Sequence, residues 1–281
     1  GKISFYCKAL DVTRQAFYDY IERKSKPWKY QPLVDEIMII HNEDIYNNTY
    51  GRERMYLALQ QRYEEGKSDI PVPSEGTVRK IMEKIGIIHK PRRKANGITK
   101  ADREAHKSDD LLKRNFKADK PLEKAITDIS ELKAKDGKVY VSAIFDCFDL
   151  MPLGLAIEDN MKASLCCHTI ENAKISYPDI AGCIIHSDRG SQYTSTEYRE
   201  KLHKYGIIQS MNSAGRRYHN NARCESMWAR MKEEVFYSRN DKPENYTMEE
   251  LKTKIWRYYM SYWANRRICT ANGGLPPAVK R

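Results

Sequence analysis

Lys124-Ala-Ile-Thr-Asp-Ile-Ser130 reads as a β-strand with one discordant residue, Asp128, in its middle. A carboxylate between apolar neighbours such as Ile126 and Ile129 needs a partner or a metal. Working outward, Val139-Tyr-Val-Ser-Ala-Ile-Phe-Asp146 is a second strand, rich in β-formers, and Gly137 marks the hairpin before it. Gly154-Leu-Ala-Ile157 is a third, with Pro152 and Gly154 marking the bend that leads into it. A helix is expected over 162–175, a buried strand over 183–186, a helix over 195–204 stopped by Gly206, and a strand over 207–210. Three strands in a meander followed by alternating helix and strand is the order of an α/β, RNase H-like domain with a mixed five-stranded sheet.

Two more acids stand in settings of their own. Asp188 sits in Ile184-Ile-His-Ser-Asp-Arg-Gly-Ser-Gln-Tyr193, an apolar run ending in a polar turn, just past a buried strand, where open α/β sheets bind ligands. Glu225 lies in Asn220-Asn-Ala-Arg-Cys-Glu-Ser-Met-Trp228, in the first turn of a helix for which Asn221 is a suitable N-cap, and the helix dipole there favours a charged carboxylate. Alone, each acid reads as a surface, turn or helix-start residue. In this order on these elements they can hold hard divalent cations and activate a nucleophile for phosphodiester chemistry.

The bulk numbers agree. The chain has 281 residues, room for two or more domains, and a net charge of +11, expected of a nucleic-acid binder. Seven cysteines, an odd number without a CxxC pair, indicate neither a disulfide framework nor a zinc site, and fit free thiols in a reducing compartment. No apolar run approaches the roughly 18 residues of a membrane helix, and no secretory signal is visible. Gly1-Lys2 reads as a truncation edge rather than a natural start.

Ahead of the sheet the sequence is helical. Residues 1–30 read as a helix-turn-helix segment, with Asp11-Val12 as the turn and Thr13 capping a second helix whose exposed face offers Arg14, Gln15 and Tyr18 to DNA. Residues 31–90 form a second helical unit, ending in a helix capped by Ser74 or Thr77. That helix buries Val78, Ile81, Met82 and Ile85 and presents Arg79, Lys80 and Lys84. Residues 91–119 read as a basic linker; Arg92, Arg93 and Lys94 are placed to track phosphates, the alternative being a solvated linker. Residues 120–281 make up the catalytic core and a C-terminal helix opened by the capping box Thr247-Met-Glu-Glu250, whose stripe of Leu251, Ile255, Tyr258, Tyr259 and Tyr262 reads as core. Arg230, Glu233 and Glu234 read as helix surface, and Arg266 and Arg267 as surface charge.

Thr127-Asp-Ile-Ser130, Phe145-Asp146, His186-Ser-Asp-Arg-Gly-Ser-Gln-Tyr193, Gly206-Ile-Ile-Gln-Ser-Met211, Asn221-Ala-Arg-Cys-Glu-Ser226 and Asn272-Gly-Gly-Leu-Pro-Pro277 together resemble the IS3-family insertion-sequence transposases of OrfB type, with their DDE, retroviral-integrase-like core. The resemblance covers most of the chain. It departs from the family pattern in Ala125, in Asn220, and in an Asp188-to-Glu225 gap one residue longer than usual.

The resemblance implies a transposase that cuts and joins DNA at element ends, with Asp128, Asp188 and Glu225 as catalytic residues holding two Mg2+ ions, for which Mn2+ may substitute. It implies a basic residue two helical turns beyond the Glu, here Lys232, meeting DNA beside the metals. It also implies double-stranded DNA as partner, both terminal inverted repeats and target. Assembly as a homo-oligomer, an OrfA-type protein or fused segment upstream, and a bacterial cytoplasmic, nucleoid-associated location follow as well. His186 and Gln192 are expected to orient the carboxylates or contact DNA, while Asp146 ranks below Glu225 as a ligand. Two alternatives stay open: a DNA-binding regulator with an inactive RNase H-like domain, and a nuclease that only hydrolyses.

Overall fold

The structure, a computed structural model, describes residues 2–87, 108–113, 115–212 and 222–281. Among them five strands form one sheet in the order β3-β2-β1-β4-β5. Strand β1 (Lys124–Lys133) is central, and pairs antiparallel with β2 (Lys138–Asp146), which pairs antiparallel with β3 (Pro152–Glu158). On its other side β1 pairs parallel with β4 (Ile184–Ser187), and β4 parallel with β5 (Ile208–Met211). This is the RNase H-like arrangement expected from the element order. The meander needs only tight turns, whereas each parallel step needs a crossover helix.

The strand assignment needs one correction. Gly154 is not in the turn between β2 and β3; it lies inside β3, opposite Ile144, next to the point where the register shifts. A Cβ there would stand 2.3 Å from the Thr169 carbonyl oxygen and 2.9 Å from Ala173 Cβ, so a helix backbone packs directly on this residue. The bend falls earlier, over 147–151, where Leu150 takes φ +65° and the Asp149 carboxylate accepts the Met151 N–H at 2.8 Å. Gly154→Ala is therefore expected to destabilise by roughly 1–3 kcal/mol or more through overpacking, read as a fall in Tm.

The partner helix is α6 (Ala163–Ser176), which runs from β3 to β4, joined on the same face by α7 (Ser191–Thr194) and α8 (Thr196–Lys204). Ile144, Leu153, Leu165, Ile170, Ile185, Tyr193, Tyr198 and Leu202 close the core between them and the sheet. The opposite face is covered by α9 (Ala222–Val235) and α10 (Met248–Trp256). The capping box of α10 forms in both directions: Glu250 N–H donates to Thr247 Oγ1 at 3.3 Å, and Thr247 N–H to Glu250 Oε2 at 2.8 Å. The helix then widens to a π-helix over Arg257–Trp263, a wound form usually confined to single turns. The wider winding brings Tyr258, Tyr259, Tyr262 and Trp263 into one core with Phe145 and Trp228. The short α11 (Pro277–Lys280) ends the chain.

The helical part has two pieces. Helices α1 (Lys2–Ala9) and α2 (Arg14–Ser25) form a hairpin in which Asp11 takes φ +51° and Thr13 Oγ1 accepts the Ala16 N–H at 3.0 Å. Only Cys7 of this hairpin is buried. Helices α3 (Gln31–Glu43), α4 (Arg52–Glu64) and α5 (Glu75–Ile85) enclose a separate core of Leu33, Ile37, Ile40, Met55, Val78 and Ile81, which Ile268 from the C-terminal segment enters. Ser74 takes the N-cap position of α5, its hydroxyl 3.1 Å from Thr77 Oγ1.

Polar contacts also cross the seam between this bundle and the core. Tyr262 donates to Asn47 Oδ1 at 3.1 Å, Ile268 N–H donates to the Tyr50 hydroxyl at 3.1 Å, and Arg54 pairs with Glu234 at 2.9 Å. Glu234 and Arg267 are therefore not surface charges. Both are buried, paired at 2.7 Å, because α9 is covered on one side by the sheet and on another by the bundle. Arg266 does stay at the surface, paired with Asp44 at 2.8 Å. No helix among the described residues is long and apolar enough to cross a membrane.

Candidate active site

The parallel register of β1 and β4 sets Ile126 beside His186. Two residues beyond that pair, Asp128 stands inside β1, while Asp188 follows the last residue of β4. Asp128 points to the face under α9 and is 8% exposed. Its Oδ2 accepts the indole N–H of Trp228 at 3.2 Å. Asp188 lies just past β4, with Oδ1 accepting the Gly190 N–H at 2.9 Å. A Cβ on Gly190 would come within 3.0 Å of that same oxygen, so glycine lets the backbone close on the carboxylate. Glu225 lies in the first turn of α9 and is exposed.

Electrostatics ties the three together. Burial pushes the Asp128 carboxyl up to about 8, and the charge of Asp188, then that of Glu225, adds to the rise; the Ile129 N–H and Trp228 pull the other way. Carboxylates held in each other's field, one of them desolvated, offer the oxygen-only, anionic surroundings that a hard divalent cation relieves. By donor type and charge the residues therefore fit such an ion. Among the described residues, no three His, Cys, Asp or Glu side chains are gathered closely enough to hold a metal.

A stability consequence follows. The folded Asp128 value lies above its ordinary 3.8. Its ionisation then costs the fold nothing below pH about 4, and the full cost is reached above pH about 8. In the presence of EDTA, Asp128→Asn should raise Tm at pH 8 and leave it unchanged at pH 4.

Lys232 lies two turns beyond Glu225. It is half-buried and donates to the Glu131 carbonyl of β1 at 3.3 Å. Desolvation holds its ammonium below the ordinary lysine value, opposed by Glu131 and Asp128.

The other expected site residues are spread more widely. His186 touches none of the three acids through its ring nitrogens. Its Nδ1 lies 2.9 Å from Ser210 Oγ, which accepts the Leu111 N–H at 3.0 Å, and its Nε2 lies 2.8 Å from Asn212 Oδ1. Because Asn212 Oδ1 can only accept, Nε2 carries the proton and Nδ1 accepts from Ser210. Burial lowers the pKa of this ring below the ordinary imidazole value. His186 thus braces β4 against β5 and the segment after it, where Arg189 also donates to the Asn212 carbonyl. Gln192 donates to the Met161 carbonyl at 2.9 Å.

Asp146 is not part of the site. It is fully buried, accepts the Leu122 and Phe148 N–H groups at 2.9 Å each, and pairs with Arg281. Tyr193 is buried with its hydroxyl 3.4 Å from Thr127 Oγ1, and burial raises it well above the ordinary phenol value.

In the helical part Arg14, Gln15 and Tyr18 are exposed, with Gln15 donating to Asp19 at 2.8 Å. Arg79 pairs with Glu83 at 2.7 Å, Lys84 sits 3.8 Å over the Trp28 ring, and Lys80 is exposed. Arg92, Arg93, Lys94 and Asn220 lie outside the described residues. Sequence reasoning missed Trp228 and Asn212. An indole three residues after an acid on a helix reads as core, and only the strand beneath reveals its acceptor.

The chain is similar to several known proteins. Residues 118–217 match the family described as the Integrase core domain. The chain is 31% identical over 97% of its length to a probable transposase for insertion sequence element IS1353 from Shigella flexneri, and spans 50% of that protein. It is 34% identical over 63% of its length to a transposase-like protein from Haemophilus influenzae, spanning 78% of it. Among solved structures, the HTLV-2 integrase catalytic core domain in complex with magnesium overlays 58% of this chain and 98% of its own at 15% identity, with a TM-score of 0.41. The sequence relatives and the matched core domain show that the chain belongs to the insertion-sequence transposases of IS3 type with an integrase core.

Proposed function

We propose that this protein is a DDE transposase that cleaves DNA at the ends of an insertion sequence and joins them to a target by transesterification. The observation that carries this reading is the placement of the acids: a buried carboxyl on the central strand, Asp128, is held by the helix whose first turn carries Glu225, and Asp188 follows the end of the neighbouring parallel strand. Asp128, Asp188 and Glu225 would hold two Mg2+ ions, with Mn2+ able to substitute. When bound, such ions would activate a nucleophile, water or a DNA 3′-OH, and would neutralise charge at the leaving 3′ oxygen. The protein's own part is positioning. The Gly190 N–H orients Asp188. Lys232, braced on β1, meets the phosphate backbone beside the acids. No covalent protein–DNA intermediate is expected, since Tyr193 is buried.

The helical part supplies DNA recognition, in a division into a helix-turn-helix segment, a second helical unit, a basic linker and the core. Phosphate contacts from Arg79, Lys80, Lys84, Arg92, Arg93 and Lys94 give affinity, while Arg14, Gln15 and Tyr18 read the terminal inverted repeats. The protein acts as a homo-oligomer on paired ends in the bacterial cytoplasm, with an OrfA-type protein or segment.

Strand transfer of labelled element ends into a plasmid, with Mg2+ or Mn2+, tests the activity. Joined products are expected. Cleavage without joining would favour a nuclease, and binding without nicking a regulator. Replacing Arg14, Gln15 and Tyr18 together by Ala should weaken binding to element ends more than to unrelated DNA; equal loss on both would contradict sequence reading by α2.

A further inference from the structure

Helix α9 grips β1 at two points four residues apart on one helical face, Trp228 at Asp128 and Lys232 at Glu131. The Trp228 ring is wedged in place. Phe145 meets it at 5.8 Å and 69°, and Tyr259 at 5.9 Å and 87°, both edge-on contacts, and the residue is 6% exposed. A ring so held points its single donor in one direction. That donor reaches the one carboxyl of the three that burial isolates from water. A buried indole N–H needs an acceptor, and a buried carboxylate needs a donor, so the pair satisfies both groups. Glu225 lies three residues before Trp228 on the same helix, so the contact also sets how far α9, and Glu225 with it, slides along β1.

We propose that Trp228 is a positioning residue: its indole N–H fixes the rotamer of the Asp128 carboxylate and docks the helix carrying Glu225 against the strand carrying Asp128. Phenylalanine would fill the same wedge but leave the carboxylate unheld. The inference rests on the reading of Asp128 as a metal-holding catalytic residue.

The test compares Trp228→Phe and Asp128→Asn in full-length protein. Loss of a group that orients a metal ligand costs roughly 10- to 100-fold in activity or metal affinity. Trp228→Phe should lower kcat for end cleavage by that factor, with KM for DNA unchanged and a raised Mg2+ requirement. A second readout is the indole region of a 1H–15N spectrum, where the four tryptophans give four N–H signals. Mg2+ without DNA should shift the signal that disappears in Trp228→Phe, and should leave it in place in Asp128→Asn. If Trp228→Phe fails to fold, the wild-type spectrum decides, since trace Mn2+ must broaden one indole signal ahead of the other three.

Wild-type kcat and Mg2+ requirement in Trp228→Phe, or no selective response of an indole signal to Mg2+ or Mn2+, overturns the positioning role. Cleavage surviving in Asp128→Asn instead overturns the catalytic reading beneath it.

Discussion

Glu225→Gln is expected to abolish Mg2+-dependent cleavage and joining while leaving DNA binding intact. The amide keeps the size of the side chain and removes its charge. Because Glu225 is exposed in the first turn of α9, little packing depends on it. Stabilisation of developing charge by a bound metal is worth several kcal/mol, and each ~1.4 kcal/mol is tenfold in rate. A loss on the order of 10³-fold follows from those magnitudes. Gel shifts on element ends and product gels from the same preparation separate binding from chemistry. Cleavage near the wild-type rate would remove Glu225 from the site.

The second large effect is on stability. Glu234→Gln should lower it by roughly 3–5 kcal/mol, a drop in Tm on the order of 10 °C. Glu234 is 2% exposed, and its two oxygens accept from Arg267 at 2.7 and 2.9 Å, from Arg54 at 2.9 Å and from the Tyr258 hydroxyl at 2.8 Å. Removing the charge leaves a fully desolvated guanidinium without its counter-ion, which costs far more than the pair gains over an apolar replacement. Arg54 comes from α4, so the same change should loosen the helical bundle from the core. Faster proteolysis between the bundle and the core is the expected sign. Burial pushes the Glu234 carboxyl up, but Arg267 and Arg54 overcome it and hold the group at about 2. Its folded value lies below the ordinary 4.5, so its contribution is complete above pH about 4.5 and lost as pH falls towards 2. Asp128, whose value is raised, behaves in the opposite sense. A Tm unchanged in Glu234→Gln would show that the bundle does not depend on this charge.

What the sequence revealed and what it hid have physical reasons. The sheet was legible because β1 and β2 are dense in β-formers and the later strands alternate with amphipathic helices. The acids were legible because an aspartate in an apolar strand has few inexpensive explanations. Gly154 was misread because a glycine near a proline looks like a turn, while its true constraint, the backbone of α6, comes from residues 169–173. Glu234 and Arg267 were misread because polar residues late in a helix look solvated. Their partners lie 33 and 180 positions away, beyond any local pattern. His186 looked like a site residue for its place beside Asp188, yet its ring turns to Ser210 and Asn212 in β5 and beyond.

The central claim is that Asp128, Asp188 and Glu225 converge on the same ions. Anomalous diffraction from a crystal of the protein bound to its element ends and Mn2+ measures that directly. Manganese peaks are expected within bonding distance of oxygens from all three side chains, with Lys232 beside the scissile phosphate. Peaks held elsewhere, for example by Asp146 and Asp149, with Glu225 turned away from Asp128, would contradict it.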